Sequence, residues 1–313
     1  MTQLLSFFKL IRWVNLLFIA LTQSLFYFFI VYPVWFATQS IPPTVDVLFW
    51  LLLLSSLLVA AGGYIINDYF DVNIDLVNKP DRMVVDKSIS RRWAILWHFI
   101  FSCAGVLLGF YIGVKNGNWL IGIANFICVL LLWFYSTSFK KQLLSGNILI
   151  SLLTAWVVMV VYLYAIMQPT AFISGEMRQG DKLLRLALVY ASFAFLISLV
   201  REMVKDMEDV QGERRYGCNT MPIEWGLSFS KVFTAIWLVI LLVLLLVSMV
   251  YVLYFKMWLP AAYHFVFIVI PTILCLRKLP KAIESKDFHA LSIWIKLIML
   301  TGILSMIYFK FYA

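Results

Sequence analysis

Charge is scarce in this chain. Only 13% of its 313 residues are charged and 63% are hydrophobic, where a globular chain is about 25% charged. A soluble core of this length cannot hide so much apolar surface. Disorder, collagen and a soluble doubly wound fold are therefore excluded. Histidine is rarer still, with His98, His264 and His289 isolated from one another and read as structural or interfacial. Four cysteines occur, Cys103, Cys128, Cys218 and Cys275, with no CxxC pair and three inside apolar runs. That argues against a disulfide frame and a zinc site and for small packing residues. No GxxxxGK[ST] or GxGxxG supports a nucleotide site, and no GxSxG or HExxH supports hydrolase chemistry. No Ser/Gly-rich linker divides the chain, so 1–313 reads as a single membrane domain.

What is abundant is long apolar runs. A helix needs about 20 apolar residues to cross the hydrocarbon core. The runs predict an all-α polytopic membrane protein with about nine spans, near 14–32, 45–66, 93–114, 118–135, 145–167, 183–201, 229–252, 258–276 and 290–312. The first run has no A-x-A cleavage site and reads as a retained helix and not a signal peptide. Before it, Leu4 to Trp13 mixes Leu and Phe with Lys9 and Arg12, the pattern of a short amphipathic helix at the interface.

The net charge is +9. In this setting it orders loops against the bilayer, with no nucleic-acid partner implied. With the N-terminus inside, 18 of the 25 Lys and Arg residues fall on inner segments and six on outer ones, Lys296 lying within the last span. The positive-inside rule then places the N-terminus and the loops 67–92 and 202–228 on the cytoplasmic side. The longest outer connection lies around Pro169–Lys182.

Nine acidic residues form two clusters in those inner loops: Asp68, Asp71, Asp75 and Asp81, then Glu202, Asp206, Glu208, Asp209 and Glu213. At about 100° per residue, Asn67, Asp71 and Asp75 fall near about 0°, 40° and 80°. Glu202, Asp206, Asp209 and Glu213 fall within about 60° of one another. Like charges at i,i+4 are destabilising, so stacked carboxylates need a cation. Hard oxygens without His or Cys point to Mg²⁺. Lys79 and Arg82 follow the first cluster, Arg201 and Lys205 interleave with the second, and Lys140 and Lys141 close the loop after Tyr135. Carboxylates, a Mg²⁺ site and cations together describe a diphosphate binder. A solvated helix end accounts for one such cluster more easily than for two. Gly62-Gly63 reads as close helix packing.

At Asn67-x-x-x-Asp71-x-x-x-Asp75 and Asp206-x-x-Asp209-x-x-x-Glu213 the chain resembles the UbiA superfamily of intramembrane prenyltransferases. Tyr135-Ser136-Thr137-Ser138-Phe139-Lys140 resembles that family's YSxxxK segment. The resemblance covers nearly the whole chain and implies a helical bundle around a central cavity, in which a polyprenyl group moves from its diphosphate to an acceptor. It implies that Asn67, Asp71, Asp75, Asp206, Asp209 and Glu213 hold two Mg²⁺ ions and that Lys79, Arg82, Lys140 and Lys205 hold the diphosphate. It implies that Tyr135 lines the reacting centre, with Asp71, Asp209, Tyr135 and Lys140 carrying the chemistry. Two departures stand out. Glu213 occupies a position where Asp is more usual, and Arg82-Met83-Val84-Val85-Asp86-Lys87 lacks the family's R-P-L-P-S-G form.

The stretch Lys205 to Pro222 is most similar to the geranylgeranylglycerol-phosphate geranylgeranyltransferase branch. The implied partners are geranylgeranyl diphosphate and a phosphate-bearing glycerol lipid, with Arg12, Arg91, Arg92, Arg214 and Arg215 as candidate anchors for the acceptor phosphate. An aromatic acceptor, as in quinone-type biosynthesis, stays open. A transporter is the rival of another class, but transporter sites sit near the midplane in broken helices, and here the acids gather at one edge. The D-G-x-x-A-R segment of CDP-alcohol phosphotransferases is absent.

Overall fold

A computed structural model describes residues 3–35, 46–167 and 177–311. Inside a bilayer every backbone N–H and C=O must be satisfied internally, so apolar runs of this length become helices. Among the described residues the elements are helices and helical turns, with one isolated β-bridge between Val85 and Ile89. We number the helices α1 (Gln3–Leu10), α2 (Trp13–Val34), α3 (Val47–Asn78), α4 (Arg91–Lys115), α5 (Leu120–Thr137), α6 (Ser145–Ile166), α7 (Met177–Arg215), α8 (Gly226–Tyr254), α9 (Trp258–Lys281) and α10 (Ser285–Phe309). Nine of these, α2 to α10, are long and apolar enough to cross a membrane. The expected connection around Pro169–Lys182 lies partly outside the described residues, and from Met177 the chain is helical.

The second and sixth spans differ from the expected bounds. Where the sequence reading placed loops from 67 and 202, α3 runs on to Asn78 and α7 to Arg215. At 1.5 Å per residue the 32 residues of α3 cover about 48 Å, well beyond a hydrocarbon core of about 30 Å. The acidic residues therefore ride on the protruding ends of two long helices. α3 stops where Pro80 follows Lys79, because proline cannot continue the backbone ladder. α7 stops at Gly217, whose φ of +70° is the left-handed conformation that closes helices. The Cys218 N–H then bonds back to the Glu213 carbonyl at 3.0 Å.

The chain divides into two compact units, one of Met1–Lys140 with Trp156–Ala187, the other of Lys141–Ala155 with Leu188–Ala313. In the first, α3, α4 and α5 pack through small residues. A Cβ on Gly62 would lie 2.7 Å from Ser102 Oγ, and one on Gly63 2.7 Å from Leu132 Cδ1, which makes the pair a helix-packing element as expected. Asn125 Nδ2 donates to Ser55 Oγ at 2.7 Å, and Ser55 Oγ donates to the Gly105 carbonyl at 2.7 Å. α1 is amphipathic as its sequence implies: Leu10 is buried beside Ile65, Val72 and Ala94, while Leu4, Leu5 and Phe8 are exposed. At the start of α3, Asp46 accepts the Phe49 N–H at 3.1 Å and the hydroxyls of Tyr27 at 2.5 Å and Tyr164 at 2.7 Å, which pins α2, α3 and α6 together.

In the second unit, Met203 and Met207 of α7 pack with Leu238 and Leu241 of α8, Cys275 of α9 and Phe288 and Ile295 of α10. All four cysteines are free thiols. Cys218 and Cys275 are buried as packing residues, but Cys103 is exposed on α4, where a lipid-facing surface is as apolar as a core.

Gly105→Ala tests the packing of the first unit. The new Cβ would lie 2.7 Å from Val59 Cγ2 and 3.1 Å from the Ser55 carbonyl oxygen. Overpacking of this kind costs about 1–3 kcal/mol, so the melting temperature in detergent should fall. An unchanged value would show that α3 and α4 slide apart freely.

Candidate functional site

The first acidic face is built on α3. Asn67 and Asp71 sit one turn apart, both buried, and Asn67 Nδ2 donates to Asp71 Oδ2 at 2.7 Å. The same carboxylate oxygen accepts from Lys140 Nζ in a partly buried ion pair. Lys140 reaches it because α5 ends at Thr137 and a single 3₁₀ turn, Phe139–Lys141, redirects the chain. Three of the residues singled out from sequence are thus in direct contact. Asp75 follows one turn on, half-buried. Lys79 is half-buried at the helix end, its backbone N–H bonded to the Asp75 carbonyl at 2.8 Å. Tyr135 is half-buried near the end of α5. The backbone of Arg82 lies in the short turn Pro80–Arg82, but its side chain is outside the described residues.

Beside this face, Asp68 pairs with Arg12 Nη2 at 2.5 Å. Arg12 stands in the break between α1 and α2 with φ 49°, a left-handed conformation costly for a residue with a Cβ. Its guanidinium lies 5.3 Å from the centre of the Tyr64 ring. Burial opposes the charged form of Arg12, and the Asp68 carboxylate overcomes that opposition, so its pKa rises above the usual arginine range. The sequence reading offered Arg12 as an acceptor anchor; in the fold it is engaged with the acidic helix. Arg91 is likewise paired, with Asp86 at 2.5 Å. Arg92, Arg214 and Arg215 are exposed.

The second acidic face is built on α7. Asp206 Oδ2 accepts from Asn147 Nδ2 of α6 at 2.7 Å. Glu213 is buried, and its Oε2 accepts from Thr220 Oγ1 at 2.8 Å. The turn at Gly217 brings Thr220 back onto the helix it follows. Asp209 is half-buried between these two positions. Glu202 stacks on the same face but takes cations from its own helix, Arg201 Nη1 at 2.9 Å and Lys205 Nζ at 3.0 Å. Lys205, expected at the diphosphate, is thereby joined to Glu202. Glu208 points elsewhere and is buried against His289 Nδ1 at 3.0 Å, which gives His289 the structural role expected of it. His98 similarly bonds the Gly62 carbonyl at 2.9 Å.

Sequence reasoning missed Asn147 and Thr220 altogether. A lone amide opening an apolar run, as in Ser145-Gly146-Asn147, was the available signal for the first. For Thr220 there was none.

Among the described residues no group of three or more His, Cys, Asp and Glu side chains is placed to hold a metal ion. The donors nevertheless suit a hard cation. Asn67 Oδ1 is buried and has no hydrogen-bond partner among the described residues, an arrangement that costs free energy unless something fills it. It stands beside the Asp71 carboxylate, already drawn to a cationic group in Lys140. Amide and carboxylate oxygens without imidazole or thiolate are the ligands of Mg²⁺.

The model of the UbiA prenyltransferase family matches residues 24–295. Over 186 residues the chain is 36% identical to the digeranylgeranylglyceryl phosphate synthase of Methanothermobacter thermautotrophicus, covering 58% of this chain and 59% of that protein. The chain thus aligns over less than two thirds of that relative's length. Its fold is similar to a solved digeranylgeranylglyceryl phosphate synthase, with a TM-score of 0.61, 21% identity, and 98% of this chain and 100% of that one covered. It is also similar to a UbiA homolog from Archaeoglobus fulgidus bound to DMAPP and Mg²⁺, with a TM-score of 0.58, 15% identity, and 97% and 99% covered.

Proposed function

The chain belongs to the UbiA prenyltransferase family, and from that premise we propose that it is a multi-pass membrane prenyltransferase that alkylates geranylgeranylglyceryl phosphate with geranylgeranyl diphosphate. The observation that carries this reading is the contact of Asn67, Asp71 and Lys140 at the protruding end of a membrane helix. An amide oxygen, a carboxylate and an ammonium converge there, as a diphosphate and its metal require. The names of the matched synthases support the glycerol-lipid acceptor. The excess of Lys and Arg on one side supports a cytoplasmic N-terminus and cytoplasmic acidic helix ends.

Asn67, Asp71 and Asp75 on α3, and Asp206, Asp209 and Glu213 on α7, are the residues that would hold Mg²⁺. When bound, the ion withdraws electron density from the diphosphate oxygens. Lys140, Lys79 and Arg82 near the first face, and Lys205 near the second, supply fixed positive charge for the leaving group as its negative charge grows. The allylic C–O bond of the donor breaks, and the diphosphate leaves with the electron pair. The glycerol hydroxyl oxygen forms the new C–O ether bond, and its proton passes to the departing diphosphate. Tyr135 offers a ring face to the carbocation-like centre. Apolar side chains exclude the water that would otherwise capture it.

A competition assay tests the acceptor. Purified protein, Mg²⁺ and geranylgeranyl diphosphate are offered geranylgeranylglyceryl phosphate, 1,4-dihydroxy-2-naphthoate and 4-hydroxybenzoate in one pot, and products are read by mass spectrometry. The ether lipid is expected. Prenylation of an aromatic acceptor alone would overturn the acceptor while leaving prenyl transfer standing. No product with any of the three acceptors would turn attention to a transport assay.

A further inference from the structure

We propose that Asn147 is a positioning residue for the second acidic face, holding one oxygen of Asp206 so that the carboxyl group stays aimed for a divalent cation. The inference rests on the reading that the acidic faces take such a cation.

Asn147 is only 6% exposed, two residues into the apolar helix α6, where a buried amide is unfavourable unless it is hydrogen-bonded. Its Nδ2 donates to Asp206 Oδ2 at 2.7 Å. The first unit repeats the device with the same atoms at the same distance: Asn67 Nδ2 donates to Asp71 Oδ2 at 2.7 Å. In one case the amide comes from the preceding turn of the same helix, in the other from a different helix. That two unrelated stretches of chain supply an asparagine to an aspartate points to a shared chemical need.

The need is legible in the partners along α7. Glu202 is met by two cations, Arg201 and Lys205, which neutralise it. Asp206 and Glu213 each accept a hydrogen bond from a neutral donor, the Asn147 amide and the Thr220 hydroxyl. A neutral donor fixes a carboxylate without cancelling its charge and without competing for the place a metal ion would take. A lysine or arginine at position 147 would do both. Partners of this kind orient metal ligands and tune affinity, and their loss typically costs about 10–100-fold in metal binding.

The test uses full-length protein in detergent, without substrate. Melting is followed by circular dichroism over a Mg²⁺ titration, and turnover is measured separately at saturating Mg²⁺. Asn147→Leu keeps the branched side-chain skeleton and removes the donor. It should raise the half-saturating Mg²⁺ concentration for thermal stabilisation by about 10–100-fold, with kcat at saturating Mg²⁺ within a few-fold of the parent protein. Asn147→Ser serves if the leucine variant fails to fold, and should shift the midpoint in the same direction. Asn125→Leu is the structural control: it removes a buried amide bonded to Ser55 and should lower the melting temperature without moving the Mg²⁺ midpoint. An unchanged midpoint in the Asn147 variants, or an equal shift in the Asn125 control, overturns the inference and leaves the cation reading intact. Absence of any Mg²⁺ stabilisation in the unaltered protein overturns the cation reading itself, and the inference with it.

Discussion

Asp71→Asn and Asp209→Asn should each lower prenyl transfer by about 10²–10³-fold, the loss typical when one preorganised electrostatic element is removed from an active site. Asp71 is the better defined of the two. It is buried, bonded to Asn67 and ion-paired with Lys140. Substitution by asparagine keeps its shape but removes the charge that balances Lys140. Substitution by alanine would add a structural cost of about 1–3 kcal/mol, because it also leaves the buried Asn67 amide without the acceptor that an asparagine at position 71 retains. The asparagine variants therefore separate chemistry from folding, with gel filtration and melting in detergent as the check on integrity. Glu213→Asp should be milder, about 10-fold, because the carboxylate remains and only its reach toward Thr220 is shortened. Near-normal turnover in either asparagine variant would mean that the faces are solvated helix ends.

Thorough chelation with EDTA should abolish turnover, and added Mg²⁺ should restore it. Each acidic face offers amide and carboxylate oxygens, and the histidine that meets α7, His289, is bonded to Glu208 on another side of that helix. Without a cation, Asp71 and Asp75 stand one turn apart as like charges, which is unfavourable, and Asn67 Oδ1 remains a buried acceptor with no partner among the described residues. A diphosphate brought to such a surface meets repulsion from the carboxylates that only a multivalent cation reverses. Turnover that persists through exhaustive chelation, with the metal content of the sample verified, would sink the metal assignment and shift the burden of leaving-group stabilisation to Lys140 and its neighbours.

The two faces differ in how far they could be read from sequence. Asn67 and Asp71 lie four residues apart, and helical periodicity alone brings them onto one face, where the structure finds them bonded. Hydropathy alone ends the helix that carries them at position 66, because the polar stretch that follows reads as a loop, whereas the helix runs to Asn78. The same stretch has helical phase and no breaker before Pro80. α7 repeats this up to Gly217. In both, the tendency of a helix to continue until something stops it outweighed the change from apolar to polar residues.

The amino-acid sequence by itself determined the membrane class, the nine apolar runs and the helical phase of the acids. Each of these depends on spacing within one segment and on the cost of placing backbone and charge in hydrocarbon. It also marked where helices approach closely, through Gly62 and Gly63. Only the tertiary structure decided which carboxylate meets which partner. Lys140 pairs with Asp71 across 69 positions, Asn147 with Asp206 across 59 and Arg12 with Asp68 across 56. Periodicity gives the direction a residue faces on its own helix and says nothing of the helix it faces. In a membrane protein that information is weaker still. Lipid-facing and interior surfaces are equally apolar, so no alternation of polarity along α4 distinguishes exposed Cys103 from buried Gly105, and packing alone assigns each its side.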